Sequence, residues 1–113
     1  MPVVPTEEAE QIVVVQYLEL KGHKFTAIPN STYTKSWNQK RKNTATGLRA
    51  GFPDMVAIID GNFIAIEMKR TKGGVVSKEQ KEWIEALQEA GVEARICRGA
   101  NEAIKFIRTL EDK

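Results

Sequence analysis

The spacing of apolar residues divides the chain into segments of helical and of strand-like character. Three segments carry apolar positions at helical spacing, and four short runs are rich in β-branched or aromatic residues. The predicted helices cover about 6–21, 77–90 and 101–110. The predicted strands cover about 23–28, 55–59, 63–68 and 92–97. The resulting order of helix, strand, two-stranded hairpin, helix, strand and helix predicts an α/β domain built on a central sheet.

The most informative stretch is the predicted hairpin, which begins near position 51 and ends near position 69. Its two apolar runs flank residues 60–62 (Asp-Gly-Asn), and Asp-Gly between β-rich runs is a strong hairpin signal. If positions 60 and 61 form the turn, position 54 lies opposite 67; if 61 and 62 form it, 54 pairs with 69. Both registers place Asp54, Glu67 and Lys69 on one face, because strand side chains alternate. The pattern therefore predicts two carboxylates close enough to share a cation.

Apolar residues line both faces of this hairpin. One face carries Val56, Ile58, Phe63 and Ala65, and the other carries Met55, Ala57, Ile59, Ile64, Ile66 and Met68. Such a hairpin is typical of a central position covered by helices on both sides. Charged residues at the end of a covered strand need partners, and a bound metal ion next to Asp54 would supply one for Glu67.

Two predicted helices can bring further polar groups to this region. Glu7 and Gln11 continue the apolar stripe of the first helix toward something polar, although a solvated charge in the first turn is an equal alternative for Glu7. Ser77 and Gln80 fit the capping box S-x-x-Q at the start of the next helix. Gln80 also lies on the same side of that helix as Trp83, so its side chain can instead point inward.

Length and composition indicate an ordinary globular protein with one domain, residues 1–113. The chain is 42% hydrophobic and 28% charged, and no apolar run approaches the roughly 18 residues of a membrane-spanning helix. The N-terminus lacks the basic and then apolar pattern of a secretory signal, so we expect a non-secreted, cytoplasmic protein. The single cysteine, Cys97, excludes an internal disulfide and a multi-cysteine zinc site. No membrane contact is expected, and no protein partner can be identified.

Basic residues concentrate in the irregular segment 31–50. The net charge is only +2, but five cations and no acidic residue lie between positions 35 and 49. Cations neutralise phosphates, and interleaved aromatic rings stack on unpaired bases, so this loop and the basic turn after the hairpin are predicted to contact nucleic acid. A solvated surface loop is the alternative. The predicted contact residues are Tyr33, Lys35, Trp37, Lys40, Arg41, Lys42, Arg49, Arg70 and Lys72.

Four motifs, in order along the chain, resemble those of a known family. They are T-E-x-x-E-Q at residues 6–11, Gly51-Phe52-Pro53-Asp54, Ile66-Glu67-Met68-Lys69, and Ser77-Lys78-Glu79-Gln80 followed by Trp83. With the order of elements, they resemble the PD-(D/E)xK nuclease superfamily. The closer resemblance is to the VRR-NUC family (virus-type replication–repair nucleases), particularly its small standalone members from phages and bacteria. This implies a restriction-endonuclease-like core of order αβββαβα, with a mixed sheet of about four strands and helices on both faces.

The same resemblance implies a metal site. Asp54, Glu67 and the main-chain carbonyl of Met68 would hold one or two Mg²⁺ or Mn²⁺ ions, which prefer such hard oxygen ligands. Glu7 matches the acidic residue that the family's first helix adds to the site, and Glu10 is the second choice. In this resemblance Lys69 would orient the attacking water or stabilise charge on the phosphate.

The implied reaction is hydrolysis of a DNA phosphodiester bond, leaving a 5′-phosphate, with Gln80 orienting groups in the site. Family members of this size act on branched or structured DNA, so the expected substrates include Holliday junctions in DNA repair, and a homodimer is implied. One alternative is a catalytically inactive nucleic-acid-binding module that uses loop 31–50. A second is a scaffold protein in which Asp54, Glu67 and Lys69 form an ordinary ion-pair cluster.

Overall fold

The structure is a computed structural model, and it describes residues 3–29 and 36–111. Within these residues, helices and strands follow one another in a mixed α/β order. The elements are α1 (Glu7–Leu20), β1 (Lys24–Ala27), α2 (Trp37–Ala45), β2 (Met55–Ile59), β3 (Asn62–Lys69), α3 (Lys78–Glu89), β4 (Glu93–Arg98) and α4 (Ala100–Leu110).

The four strands form one mixed sheet in the order β1-β2-β3-β4. Strands β1, β2 and β3 are antiparallel neighbours, whereas β3 and β4 are parallel and are joined by α3. A parallel pair needs a crossover of this kind, because its second strand must start at the same end as the first. The predicted mixed sheet of about four strands is confirmed.

The turn between β2 and β3 selects one of the two predicted registers. Ile59 pairs with Asn62, so Asp60 and Gly61 are the two turn residues. Both have positive φ, 47° and 84°, as a type I′ hairpin turn requires. Extending the pairing of Met55 with Ile66 by one position places residue 54 opposite residue 67.

Helices cover both faces of the sheet, as predicted, but they do not cover them equally. Helices α1 and α4 bury one face, with Val14, Leu18, Ile64, Ile66 and Ile107 fully enclosed. Helix α3 covers the other face around Ala65, Ala94 and Ile84. Near the hairpin turn this second face stays open.

The prediction that the hairpin is covered on both sides is therefore wrong at its turn end. Ile58 is 50% exposed and Phe63 is 48% exposed. They lie on the α3 face of β2 and β3 and pair with each other across the hairpin. Helix α3 crosses the sheet nearer to β4, so its apolar side does not reach them.

The segment predicted to be an irregular loop contains helix α2. Ser36 caps this helix, and its side-chain oxygen accepts a hydrogen bond from the Gln39 amide at 3.2 Å. No residue of α2 is buried. A helix with polar residues on all sides has no apolar stripe, so hydrophobic spacing gave no sign of it.

Candidate metal site

The turn register brings two carboxylates together at one end of the central hairpin. Asp54 directly precedes β2, and its Oδ2 accepts a hydrogen bond from the Met68 amide on β3 at 2.7 Å. Glu67 lies within β3 and is only 2% exposed. Three carboxylate oxygens, one from each of Glu7, Asp54 and Glu67, lie within 4.8 Å of one another. The grouping of Asp54 with Glu67 predicted from strand alternation is present, and α1 adds a third carboxylate.

The loop that delivers Asp54 is packed against helix α3. Gly51 has φ of 95°, and a Cβ at this position would lie 2.6 Å from the main chain of Glu79. Next to it, the ring of Phe52 meets the indole of Trp83 edge to face, with centroids 5.0 Å apart. Only glycine allows this approach, so the loop is held against α3 just before Asp54.

The geometry distinguishes between the two acids that the sequence left open on α1. Thr6 caps the helix by accepting a hydrogen bond from the Ala9 amide at 3.0 Å, and Glu7 follows as the first helical residue. Glu7 joins the carboxylate cluster. Glu10 instead accepts a hydrogen bond from the Ala100 amide at the start of α4, at 3.2 Å.

Gln80 fulfils both of the roles that the sequence presented as alternatives. Its side-chain oxygen accepts from the Ser77 amide at 2.9 Å, and the Ser77 hydroxyl accepts from the Gln80 amide at 3.1 Å, which completes a capping box. Its side-chain nitrogen donates to Oε2 of Glu67 at 2.9 Å. A planar amide has a donor and an acceptor that point in different directions, so one side chain serves both the helix start and the carboxylate.

Lys69 ends β3 on the same side of the strand as Glu67. It is 6% exposed, and its Nζ lies 3.8 Å from Oε2 of Glu67. Its main-chain oxygen accepts a hydrogen bond from the Gly99 amide at 2.9 Å. The predicted trio of Asp54, Glu67 and Lys69 is therefore gathered at one end of the sheet.

Burial makes the two central carboxyl groups hard to ionise. Burial first, and the charge of Asp54 second, raise the pKa of Glu67 to about 8, while Lys69 acts in the opposite direction. Burial also raises the pKa of Asp54, against the hydrogen bond from the Met68 amide. A bound cation would favour the charged forms and offset this cost.

One oxygen of Glu67 shows that the cluster suits such a cation. Oε1 of Glu67 is buried and, when the carboxyl group is ionised, has no hydrogen-bond donor among the residues that the structure describes. Buried carboxylate oxygens are costly without a donor or a metal ion. The donor set consists of carboxylate oxygens, which Mg²⁺ and Mn²⁺ prefer. The residues present therefore fit a hard divalent ion. The main-chain carbonyl of Met68 stays a predicted further ligand.

Those residues predicted to contact nucleic acid that the structure describes lie on two exposed segments. Trp37 begins α2 and is 74% exposed, with Nζ of Lys40 4.8 Å from the centre of its ring. The other described cations of the set are also exposed: Lys40, Arg41, Lys42, Arg49, Arg70 and Lys72. Tyr33 and Lys35 lie outside the described residues.

The main chain just before and just after the connection that contains the basic segment is joined by a hydrogen bond. The Ile28 amide donates to the main-chain oxygen of Asp54 at 2.8 Å, which joins the end of β1 to the start of β2. The intervening residues 29–53 carry α2 and Arg49. The two ends of this connection are therefore held together at Asp54.

Sequence reasoning missed one basic residue near the site, Arg98 at the end of β4. Its guanidinium donates to the carbonyl oxygens of Arg70, Gly73 and Gly74, at 3.2, 2.7 and 3.2 Å. It pairs with Lys69 in the parallel register of β3 and β4. No local motif marks it, and only the pairing of the two strands would have indicated its position beside the loop.

Fold and site together define an α/β domain with an acidic cluster and a lysine at one end of its central hairpin. The family model of the VRR-NUC domain matches residues 5–101. The chain therefore belongs to the VRR-NUC family, a family of nucleases, as the sequence motifs indicated.

Two solved structures support the fold. One, described as a VRR-NUC domain protein, is 23% identical with a TM-score of 0.77, and the match covers 96% of this chain and 89% of that one. A second, described as a VRR-NUC domain, is 19% identical with a TM-score of 0.65, and the match covers 92% and 97% of the two chains. No curated protein matches the sequence. Among the described residues, no helix is long and apolar enough to cross a membrane.

Proposed function

We propose that this protein is a metal-dependent deoxyribonuclease that hydrolyses phosphodiester bonds with Mg²⁺ or Mn²⁺. The observation that carries the proposal is the convergence of Glu7, Asp54 and Glu67, whose carboxylate oxygens lie within 4.8 Å of one another. The buried Oε1 of Glu67, which when ionised has no hydrogen-bond donor among the described residues, supports it. Membership of a nuclease family gives this cluster its chemical context.

Each residue of the cluster has a distinct role in this proposal. Glu7, Asp54 and Glu67, with the carbonyl oxygen of Met68, hold the cation, which when bound lowers the pKa of the attacking water. The hydrogen bond from the Met68 amide fixes the orientation of Asp54. Gln80 fixes the orientation of Glu67 from the start of α3. Helix starts and strand ends are rigid supports for such a site.

Lys69 supplies the positive charge of the proposed reaction. Its Nζ lies 3.8 Å from Glu67 at the same end of the sheet, in a largely buried setting. A buried ammonium group stabilises negative charge that develops on a phosphate more strongly than a solvated one does. Lys69 therefore orients the water or stabilises the phosphate in the transition state.

The exposed cations support DNA as the substrate. Helix α2 carries Lys40, Arg41 and Lys42 with no acidic residue, and its aromatic residue Trp37 is exposed. Arg70 and Lys72 follow the catalytic strand directly. Cations neutralise the phosphate backbone, and an exposed indole suits an unpaired base.

The finer parts of the proposal follow from the family resemblance. They are preference for branched DNA such as Holliday junctions, a role in DNA repair, and a homodimer. A single domain and a location in the cytoplasm of a bacterium or of a phage-infected cell are further parts of the proposal, which rest on length and composition. A two-fold junction offers two equivalent strands for cleavage, so two copies of a small domain would suit it.

The deciding experiment measures cleavage of linear duplex, flap and four-way-junction DNA with Mg²⁺, Mn²⁺ or EDTA. We expect metal-dependent cleavage, faster on branched DNA, that Asp54→Ala and Lys69→Ala each reduce by at least 100-fold. Glu85→Gln, an exposed acid on α3, is the matched control and should cleave normally. Cleavage that survives Asp54→Ala or Lys69→Ala would refute the assigned site.

The runner-up is a catalytically inactive nucleic-acid-binding module, and the basic character of α2 favours it independently of the metal site. It predicts DNA binding in EDTA that weakens steeply with salt, and no cleavage in either metal. Folded protein that binds DNA but leaves every substrate intact would select this function over the nuclease.

A further inference from the structure

We propose that Glu10 is a positioning residue that holds Glu7 in the metal site by anchoring the first turn of α1 to the start of α4. This inference rests on the proposed metal site and adds a residue to it. The sequence presented Glu10 as an alternative metal ligand. Its contacts instead indicate a structural role at the start of α4.

The start of α4 takes its hydrogen-bond acceptor from another helix. Gly99 precedes α4 with φ of 89° and provides no side-chain cap. Oε1 of Glu10 instead accepts a hydrogen bond from the Ala100 amide at 3.2 Å. The first amides of a helix lack internal partners and carry positive partial charge, so a carboxylate is well suited to this position. Glu10 therefore links α1 to α4.

Gly99 leaves room for this link and connects it to the end of β3. A Cβ at position 99 would lie 2.6 Å from the side chain of Thr71 and 3.0 Å from Oε2 of Glu10, so any larger residue would displace the carboxylate. The Gly99 amide donates to the main-chain oxygen of Lys69 at 2.9 Å. Through these contacts Glu10 is connected to the end of β3, two residues beyond Glu67.

The spacing along α1 transmits this anchor to Glu7. Residues three apart in a helix lie on the same side, so Glu7 and Glu10 face the sheet end together. The buried apolar contacts of α1, Val14 and Leu18, lie one and two turns further along. Glu10 is therefore a polar anchor close to Glu7, and its loss would let the first turn shift relative to Asp54 and Glu67.

The test measures Mn²⁺ affinity by calorimetry and the melting temperature in EDTA, at a temperature where every variant is folded. Asp54→Asn and Glu7→Gln test whether these two carboxylates bind Mn²⁺, and Glu10→Ala removes the anchor. We expect Glu10→Ala to weaken Mn²⁺ binding by about 10-fold or more, as loss of a residue that orients a ligand does. Glu10→Gln keeps an oxygen acceptor for the Ala100 amide and should stay within about threefold of the wild type.

Val14→Ala is the control for a purely structural effect. It removes a buried side chain of α1 two turns beyond Glu7, with no polar contact to α4, so it should lower the melting temperature and leave Mn²⁺ affinity unchanged. If Glu10→Ala does not fold, Glu10→Asp replaces it in the measurement of Mn²⁺ affinity. The carboxylate of Glu10→Asp is one methylene too short to reach α4, so this variant also lacks the anchor.

The outcomes separate this inference from the proposed function. Unchanged affinity in Asp54→Asn would refute the metal site itself, and the inference with it. Loss of affinity in Asp54→Asn with normal affinity in Glu7→Gln would leave the site standing and overturn the role of Glu10. Normal affinity in folded Glu10→Ala, or an equal loss in Val14→Ala, would also overturn it.

Discussion

The side-chain amide of Gln80 donates a hydrogen bond to Oε2 of Glu67 at 2.9 Å. The oxygen of the same amide accepts from Ser77 and closes the capping box of α3. Gln80, which completes the cap of the helix, therefore also orients a carboxylate of the candidate metal site. Because the capping box restricts the rotamer of Gln80, the donor is held toward Glu67 before any ligand arrives.

We expect Gln80→Ala to reduce both stability and nuclease activity. It removes the side-chain partner of the Ser77 amide and the donor to buried Glu67, at a cost of about 1–3 kcal/mol in the free energy of unfolding. The loss of the donor should lower kcat by about 10-fold or more, because Glu67 is no longer held in place. Thermal unfolding and single-turnover cleavage measure the two effects.

Ser77→Ala is the matched control for the helix cap. It removes the hydroxyl acceptor, at a cost of about 1 kcal/mol, but leaves the contact between Gln80 and Glu67 available. If Ser77→Ala reduces kcat as much as Gln80→Ala does, the capping box alone explains the effect, and Gln80 has no separate role at the carboxylate.

The raised pKa of Glu67 predicts an unusual pH dependence of stability without metal. The folded protein raises this pKa from its ordinary value of 4.5 to about 8, so the folded state binds the proton more tightly than the unfolded chain does. Stability from this group is fully present below pH 4.5 and is lost as the pH rises toward 8. Melting temperatures in EDTA should therefore fall over this range.

Glu67→Gln should remove that part of the pH dependence, because its side chain does not ionise. The variant should melt at a higher temperature than the wild type near pH 8 in EDTA and should lose the stabilisation that Mg²⁺ or Mn²⁺ gives the wild type. Parallel curves for the two proteins between pH 5 and 8 would show that Glu67 ionises normally in the fold.

Gly51→Ala should disturb the delivery of Asp54. The new Cβ would lie 2.6 Å from the main chain of Glu79, and φ of 95° disfavours any side chain. We expect a loss of at least 2 kcal/mol in the free energy of unfolding, together with reduced cleavage. Gly47→Ala has a similar φ of 101° but open space around the new methyl group, so it measures the backbone strain alone. Equal losses in the two variants would show that the packing against α3 contributes nothing.

Arg98→Ala should release the loop that follows β3. The guanidinium donates to the carbonyl oxygens of Arg70, Gly73 and Gly74, and residues 70–74 are exposed to solvent. Trypsin should then cleave after Arg70 or Lys72 about 10-fold faster, since protease attack follows local opening. DNA binding should weaken because these two cations are no longer held beside the site.

Arg95→Ala provides the comparison for the loss of a cation from the same strand. Its guanidinium lies 5.0 Å from the centre of the Phe106 ring and does not take part in the loop contacts. Arg98→Lys keeps the charge but not the planar guanidinium group. Its rate of trypsin cleavage should therefore lie between those of the wild type and Arg98→Ala. If trypsin cleaves Arg98→Ala at the wild-type rate, the loop holds its shape without this residue.

The sequence by itself determined the centre of the site. An Asp-Gly turn and the two-residue period of strands are local properties, so they place Asp54 and Glu67 together whichever register the turn adopts. Four spaced motifs were enough to indicate the family. The order of the elements other than α2 followed from apolar spacing, because each of them is long enough to show its period. The mixed sheet was implied by the family resemblance.

The tertiary structure decided what depends on the approach of one element to another. Glu7 and Glu10 are both first-turn acids of α1, and only the packing of that helix sends one to the carboxylates and the other to α4. Arg98 reaches the loop after β3 because two strands distant in sequence are parallel neighbours. Side-chain targets of this kind are set by helix and strand placement over the whole domain, and no local period in the sequence encodes them.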